Sequence, residues 1–235
     1  MGMSEHAFTP ALGRFAPTRF YDAVVAVTRE KVWRALTVGH VAPRAGDVIV
    51  DVGCGTGSLA LMLARTESEA RIVGVDPDPE VLAIAGRKTQ AVRWVVGRGD
   101  ALGELLGGGT ADTVVSSLVL HQCPVPVKRA VLASMAGVLR PGGRLVITDY
   151  GLQRSALMRL AFRTVQFADG KADTQPNADG VLPEMIAAAG FTDVREADVI
   201  PTVTGSISIY IARRRSGPAV SGGGDYGGRG GPRLG

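Results

Sequence analysis

The chain is poor in the residues that mark several protein classes. Its 235 residues include only two cysteines, Cys54 and Cys123, and three histidines. Two cysteines cannot supply a disulfide framework, and a reducing compartment is the simplest reading. His6, His40 and His121 lie far apart in sequence, and His121 with Cys123 alone makes no ligand set, so no metal site is expected. No apolar run approaches the roughly 18 residues needed to cross a bilayer. The opening residues, Met1 to Pro10, have neither a basic start nor an apolar stretch, which speaks against a secretory signal. The expectation is a cytoplasmic protein without a membrane span.

A basic surface is missing too. Arg213, Arg214, Arg215, Arg229 and Arg233 against Asp225 account for the whole net charge of +4. The rest is close to neutral and gives no strong nucleic-acid signal. Gly228-Arg229-Gly230-Gly231 is similar to RNA-binding arginine–glycine segments, but a single unit beside Tyr226 reads better as a solubilising tail.

What is present is apolar content, 46% against 20% charged residues, enough for one substantial core. Short apolar runs alternate with amphipathic segments, the pattern of βα units around a parallel sheet. Strands are expected over residues 48–52, 71–75, 92–96, 113–117, 144–148, 194–199 and 206–212. The last two are too close for a parallel crossover and must form an antiparallel hairpin. The fold expected is therefore α/β, a doubly wound seven-stranded sheet of five parallel strands plus a terminal antiparallel hairpin. Asp78-Pro79-Glu80 starts a helix with an N-cap, an N1 proline and an acid in the first turn. Gly190 stops another. The chain divides into a polar leader (1–19), one domain (20–213) and a Gly/Arg-rich tail (214–235) expected to be disordered.

The chemistry concentrates in Asp51-Val52-Gly53-Cys54-Gly55-Thr56-Gly57, between a strand and a helix opening at Ser58. Alternating glycines let the backbone turn and let a ligand approach it, and the helix N-terminus behind them suits an anionic group. Such a loop alone is shared by NAD, nucleotide and S-adenosylmethionine binders. Asp76, at the tip of the second strand, can accept from ribose hydroxyls. Two features separate the candidates. The third small position of the dinucleotide pattern falls on Ser58 and leaves Gly57 out of register, and Asp100 follows strand three where it can accept from an adenine amino group.

On these residues, with Ser117-Leu118-Val119-Leu120-His121 after strand four and Leu139-Arg140-Pro141-Gly142-Gly143-Arg144-Leu145 entering strand five, the chain resembles the class I S-adenosylmethionine (SAM)-dependent methyltransferases. It is most similar to the branch containing the ubiquinone/menaquinone C-methyltransferases. That family has a seven-stranded sheet whose last strand is antiparallel. Gln122 departs from a second histidine common in that branch and leaves the acceptor open. The resemblance implies SAM as cofactor, S-adenosylhomocysteine as product, and a cofactor site of Tyr21, Asp51, Gly53, Cys54, Gly55, Gly57, Asp76, Pro77, Asp100, Ala101, Ser117 and Leu118.

A methyl sulfonium is already activated, so the protein's task is alignment of the acceptor and exclusion of water. His121 reads either as a general base or as a histidine shaping the pocket through hydrogen bonds. Tyr150 and Asp149 end strand five and can face the acceptor, with Asp149 equally a loop anchor. Residues 151–179 read as a lid whose Leu157, Met158, Leu160, Phe162, Val165 and Phe167 cover a hydrophobic acceptor, or as a helix docked on the sheet. The expected partner is a small, apolar or aromatic metabolite, and the chain a monomer or homodimer. The alternatives are an RNA or protein methyltransferase, an NAD-dependent oxidoreductase, or a non-catalytic SAM-binding protein.

Overall fold

The computed structural model describes residues 29–216. Tyr21, the leader and the tail beyond residue 216 lie outside them. Helix α1 (Glu30–Val41) buries Trp33, Thr37 and Val41, spaced four apart on one stripe. Then follow β1 (Val48–Val52), α2 (Ser58–Thr66), β2 (Arg71–Asp76), α3 (Pro79–Lys88), β3 (Val92–Val96), α4 (Leu102–Leu106), β4 (Ala111–Ser117) and α5 (Val125–Val138). The chain continues through β5 (Leu139–Tyr150), α6 (Ala156–Asp169), α7 (Lys171–Ala178), α8 (Leu182–Ala188), β6 (Phe191–Thr202) and β7 (Gly205–Arg214).

The seven strands form one sheet in the order β3-β2-β1-β4-β5-β7-β6. Strands β1 to β5 pair parallel, β7 runs antiparallel to both β5 and β6, and the doubly wound fold expected from the sequence is the one found. Consecutive strand residues face opposite ways, which sorts them into two cores. Val50, Val114, Leu145 and Ile147 join Leu132, Met135 and Ile186 on one face. Ile49, Val115 and Val146 join Trp33, Leu59, Leu63 and Phe162 on the other. The order reverses between β1 and β4, so the loops leaving those strands open a crevice at the switch point.

The later strands exceed their apolar runs because ladder pairing needs only backbone groups: Phe191 pairs with Arg214 and Thr202 with Gly205. Edge strand β6 carries two register shifts and Asp193 at φ 54, irregularities that blunt an open edge. Asp78 caps α3 as expected, accepting from the Glu80 N–H, with Pro79 in the first turn.

Of the two readings of residues 151–179, the docked helix holds for two of the six apolar side chains. The six apolar side chains expected on one face are split by the helical period of α6. Phe162 and Val165 dock in the core, while Leu157, Leu160 and Phe167 are 75%, 57% and 94% exposed on the outer side. Gly151, where the segment leaves β5, lies so close to β7 that a Cβ there would collide with Ser208 Oγ and the Tyr210 hydroxyl. No helix among the described residues is long and apolar enough to cross a membrane.

Candidate active site

The parallel strands place Asp51, Asp76, Ser117 and Tyr150 at their carboxyl ends, on one edge of the sheet. Loop 53–57 is sewn to β2: the Gly53 and Cys54 N–H groups donate to the Val75 carbonyl (2.8 and 3.2 Å). Gly53, Gly55 and Gly57 all have positive φ (70°, 52° and 78°), where a Cβ is strained. Their surroundings differ. A Cβ on Gly53 would strike the Val119 methyls and one on Gly57 the Trp94 ring, whereas Gly55 faces open space. Two of the three glycines are therefore required by packing, and Gly55 is the one that presents bare backbone outward. Gly55→Ala should cost about 1–2 kcal/mol of stability for the left-handed backbone. Calorimetry with S-adenosylhomocysteine should show at least a tenfold weaker complex, and an affinity loss no larger than the stability loss would remove Gly55 from the ligand surface.

Asp51 is fully buried, and among the described residues neither carboxylate oxygen has a hydrogen-bond partner. Burial pushes its pKa up to about 7 despite the opposing charge of Arg34 on α1. Arg34 itself pairs with Glu30 and lies over the Trp33 ring (4.6 Å). Asp76 accepts from the Gly55 N–H (2.9 Å) and the Asp78 N–H (3.0 Å), joining the glycine loop to the end of β2. Pro77 is half-buried beside it. Asp100 is held by Arg98 through two bonds (3.0 and 2.6 Å), and Ala101 sits in the same short turn. Cys54 is buried with its Sγ packed toward Gly74 and donating to the Gly55 carbonyl (3.8 Å), and burial raises the thiol pKa.

Leu118 leaves β4 at φ 54, a strained conformation for a branched side chain. The turn it makes lets the N–H groups of Val119 (3.1 Å), Leu120 (2.7 Å) and His121 (3.4 Å) converge on Asp149 Oδ2. Asp149 Oδ1 accepts from the Tyr150 N–H and bonds His121 Nδ1, both at 2.7 Å. Asp149 is thus a loop anchor. His121 is buried, and its Nε2 lies 3.4 Å from Asp169 at the end of α6. Desolvation opposes the imidazolium, but Asp149 and then Asp169 outweigh it and raise the pKa to about 9. Both ring nitrogens thus face carboxylates, an arrangement that favours the imidazolium. The Tyr150 ring meets His121 edge-on (5.0 Å between centroids), and its hydroxyl bonds Thr204 (2.8 Å).

Sequence reasoning missed Asp169, Lys128, Trp94 and Arg34. Each acts across a fold contact that no local motif records. No group of three or more His, Cys, Asp or Glu among the described residues is placed to hold a metal ion.

A methyltransferase-domain family model matches residues 49–143, from β1 into the turn of β5. The chain is 32% identical over 182 residues, 68% of its length, to a demethylmenaquinone methyltransferase of Thermus thermophilus, of which it covers 81%. The chain belongs to the class I SAM-dependent methyltransferases. This methyltransferase is also 28% identical over 188 residues to a ubiquinone/menaquinone biosynthesis C-methyltransferase of Rubrivivax gelatinosus, covering 72% of each chain. Among solved structures its fold is similar to an O-methyltransferase family protein of Burkholderia thailandensis (TM-score 0.65, 20% identity, 85% of this chain and 60% of that one). It is similar as well to a SAM-bound magnesium protoporphyrin IX methyltransferase of Synechocystis (TM-score 0.59, 20% identity, 85% and 86%).

The site fits a cationic adenosyl cofactor. A buried carboxylate that no side chain hydrogen-bonds, beside a glycine turn with open space, is costly unless a positive group in addition to Arg34 meets it. Asp51 and the Gly55 backbone supply that combination.

Proposed function

We propose that this methyltransferase transfers a methyl group from SAM to a small apolar or aromatic metabolite held beneath residues 151–179. The observation that carries the reading is the buried Asp51 carboxylate, which no side chain hydrogen-bonds, at the switch point of the sheet. In this reading Asp51 faces the cofactor's positive groups, and the main chain of Gly53 to Gly57 runs beside its methionine part. Asp76 and Pro77 take the ribose, Asp100 and Ala101 the adenine, and Ser117 and Leu118 line the floor. Bound there, SAM supplies an activated methyl group, and the chain's own contribution is alignment and exclusion of water.

Of the two roles weighed for His121, the geometry supports the shaping one. With Asp149 and Asp169 against its two nitrogens and the pKa raised to about 9, it has no lone pair for an acceptor proton at neutral pH. His121 and Tyr150 then form a rigid wall beside the acceptor. The relatives named for demethylmenaquinone and ubiquinone/menaquinone support an aromatic acceptor, and a reduced 1,4-naphthoquinol is the first probe. Purified protein with methyl-labelled SAM should label the naphthoquinol and leave tRNA and peptide substrates unlabelled. Label in RNA or peptide would overturn the acceptor assignment, and no binding of S-adenosylhomocysteine would overturn the cofactor assignment.

A further inference from the structure

Lys128, in α5, takes no part in the roles above, yet it is fully buried. Its Nζ donates to the carbonyls of His121 (3.3 Å), Cys123 (2.7 Å) and Asp173 (2.7 Å). An ammonium has three N–H donors, and here each has an acceptor. Taking that charge out of water is costly, so the position does something an apolar side chain cannot. Two of the carbonyls belong to the turn after β4 and the third to α7, and Lys128 ties these separate segments together.

The same turn abuts the cofactor loop, because the Val119 methyls occupy the space over Gly53. On its other side His121 Nε2 reaches Asp169 at the end of α6. Between Asp169 and α7 lies Gly170, at φ 87. The joint between α6 and α7 is thus held on both flanks, by His121 before the glycine and Lys128 after it. A continuous path of contacts runs from Gly53 through Val119 and His121 to Lys128 and Asp173.

Resting on the reading that residues 151–179 cover the acceptor, we propose that Lys128 is a positioning residue for methyl transfer. It locks the covering segment to the turn that abuts the cofactor loop, so occupancy of the cofactor site is transmitted as order to α7. It need not touch cofactor or acceptor to do so.

The test is hydrogen–deuterium exchange on the full chain, with and without saturating S-adenosylhomocysteine, beside calorimetric affinity and a melting curve. In the wild type, binding should slow exchange at least threefold both in residues 117–123 and in residues 171–178. In Lys128→Met the affinity should stay within about threefold and the loop should still be protected, while the ligand-dependent protection of 171–178 is lost. Asp169→Asn, which weakens the other flank and keeps the lysine, should reduce that protection about half-way, and it carries the test if Lys128→Met does not fold. A merely structural lysine would raise exchange equally with and without ligand. Undiminished ligand-dependent protection of 171–178 in the variants overturns the proposal. A wild type that binds the ligand without any protection of 171–178 overturns it also, and a wild type that does not bind at all sinks the cofactor reading instead.

Discussion

Replacing His121 by alanine should lower the unfolding free energy at pH 6 by about 3 kcal/mol, because it removes the imidazolium that meets the buried Asp149 and the half-buried Asp169. Asp149 and Asp169 both face the imidazole; Asp149 is buried and keeps its backbone donors, while Asp169 is half-buried at the end of α6. The loss should depend on pH in a particular direction. A histidine whose folded pKa lies above its unfolded value stabilises fully below the unfolded value and loses that stabilisation as pH rises through the folded one. Here the window runs from 6.5 to about 9. Across it the difference between wild type and His121→Ala should shrink by about 3 kcal/mol. Denaturant titrations at several pH values measure this. A difference that stays constant from pH 6 to 9.5 would show that His121 is not held as an imidazolium.

Asp51→Asn should move cofactor affinity and stability in opposite directions. The carboxylate's folded pKa is raised from 3.8 to about 7 by burial, so its ionised form is disfavoured in the ligand-free fold. Below pH 3.8 it is neutral in both states, and the penalty grows as pH rises toward 7 and is complete above it. At pH 8 the asparagine variant, which carries no charge, should therefore be more stable without ligand by up to about 4 kcal/mol. A cationic cofactor needs the ionised form, so wild-type affinity for SAM should fall about tenfold per unit as pH drops below 7. The variant should bind about 10–100-fold more weakly at pH 8, consistent with about 1–3 kcal/mol for a lost charged partner, and should show no such pH slope. Calorimetry at pH 5.5, 7 and 8.5 separates the cases. Equal affinity in variant and wild type would mean that Asp51 faces nothing positive in the complex.

The centre of the sheet was legible because its strands are buried on both faces and stand out as apolar runs such as 48–52 and 145–147. Their ends were less so. Thr192 and Arg213 join the ladder by strand pairing and a Thr192 hydroxyl bond to the Arg213 carbonyl, which leave no trace in hydropathy. The covering segment was left between two readings for a related reason: six apolar residues in eleven positions can look like one face, and only the 3.6-residue period separates Phe162 and Val165 from Leu157, Leu160 and Phe167. In the site, the glycine turn and Asp76 were visible because local spacing encodes them. The pairing of His121 with Asp149 and Asp169, and of Lys128 with Asp173, joins residues 28 to 48 positions apart, and a single sequence holds no record of such meetings.

Gly151 carries a consequence for how acceptor preference can be changed. With Ser208 and Tyr210 occupying the room beside it, the departure point of the chain from the sheet admits no larger residue, and Gln153 fastens the next step through Gly151 and Ser206. Attempts to reshape selectivity by substitution should therefore begin beyond Gln153, on a stem that stays constant while the arc above it is redesigned.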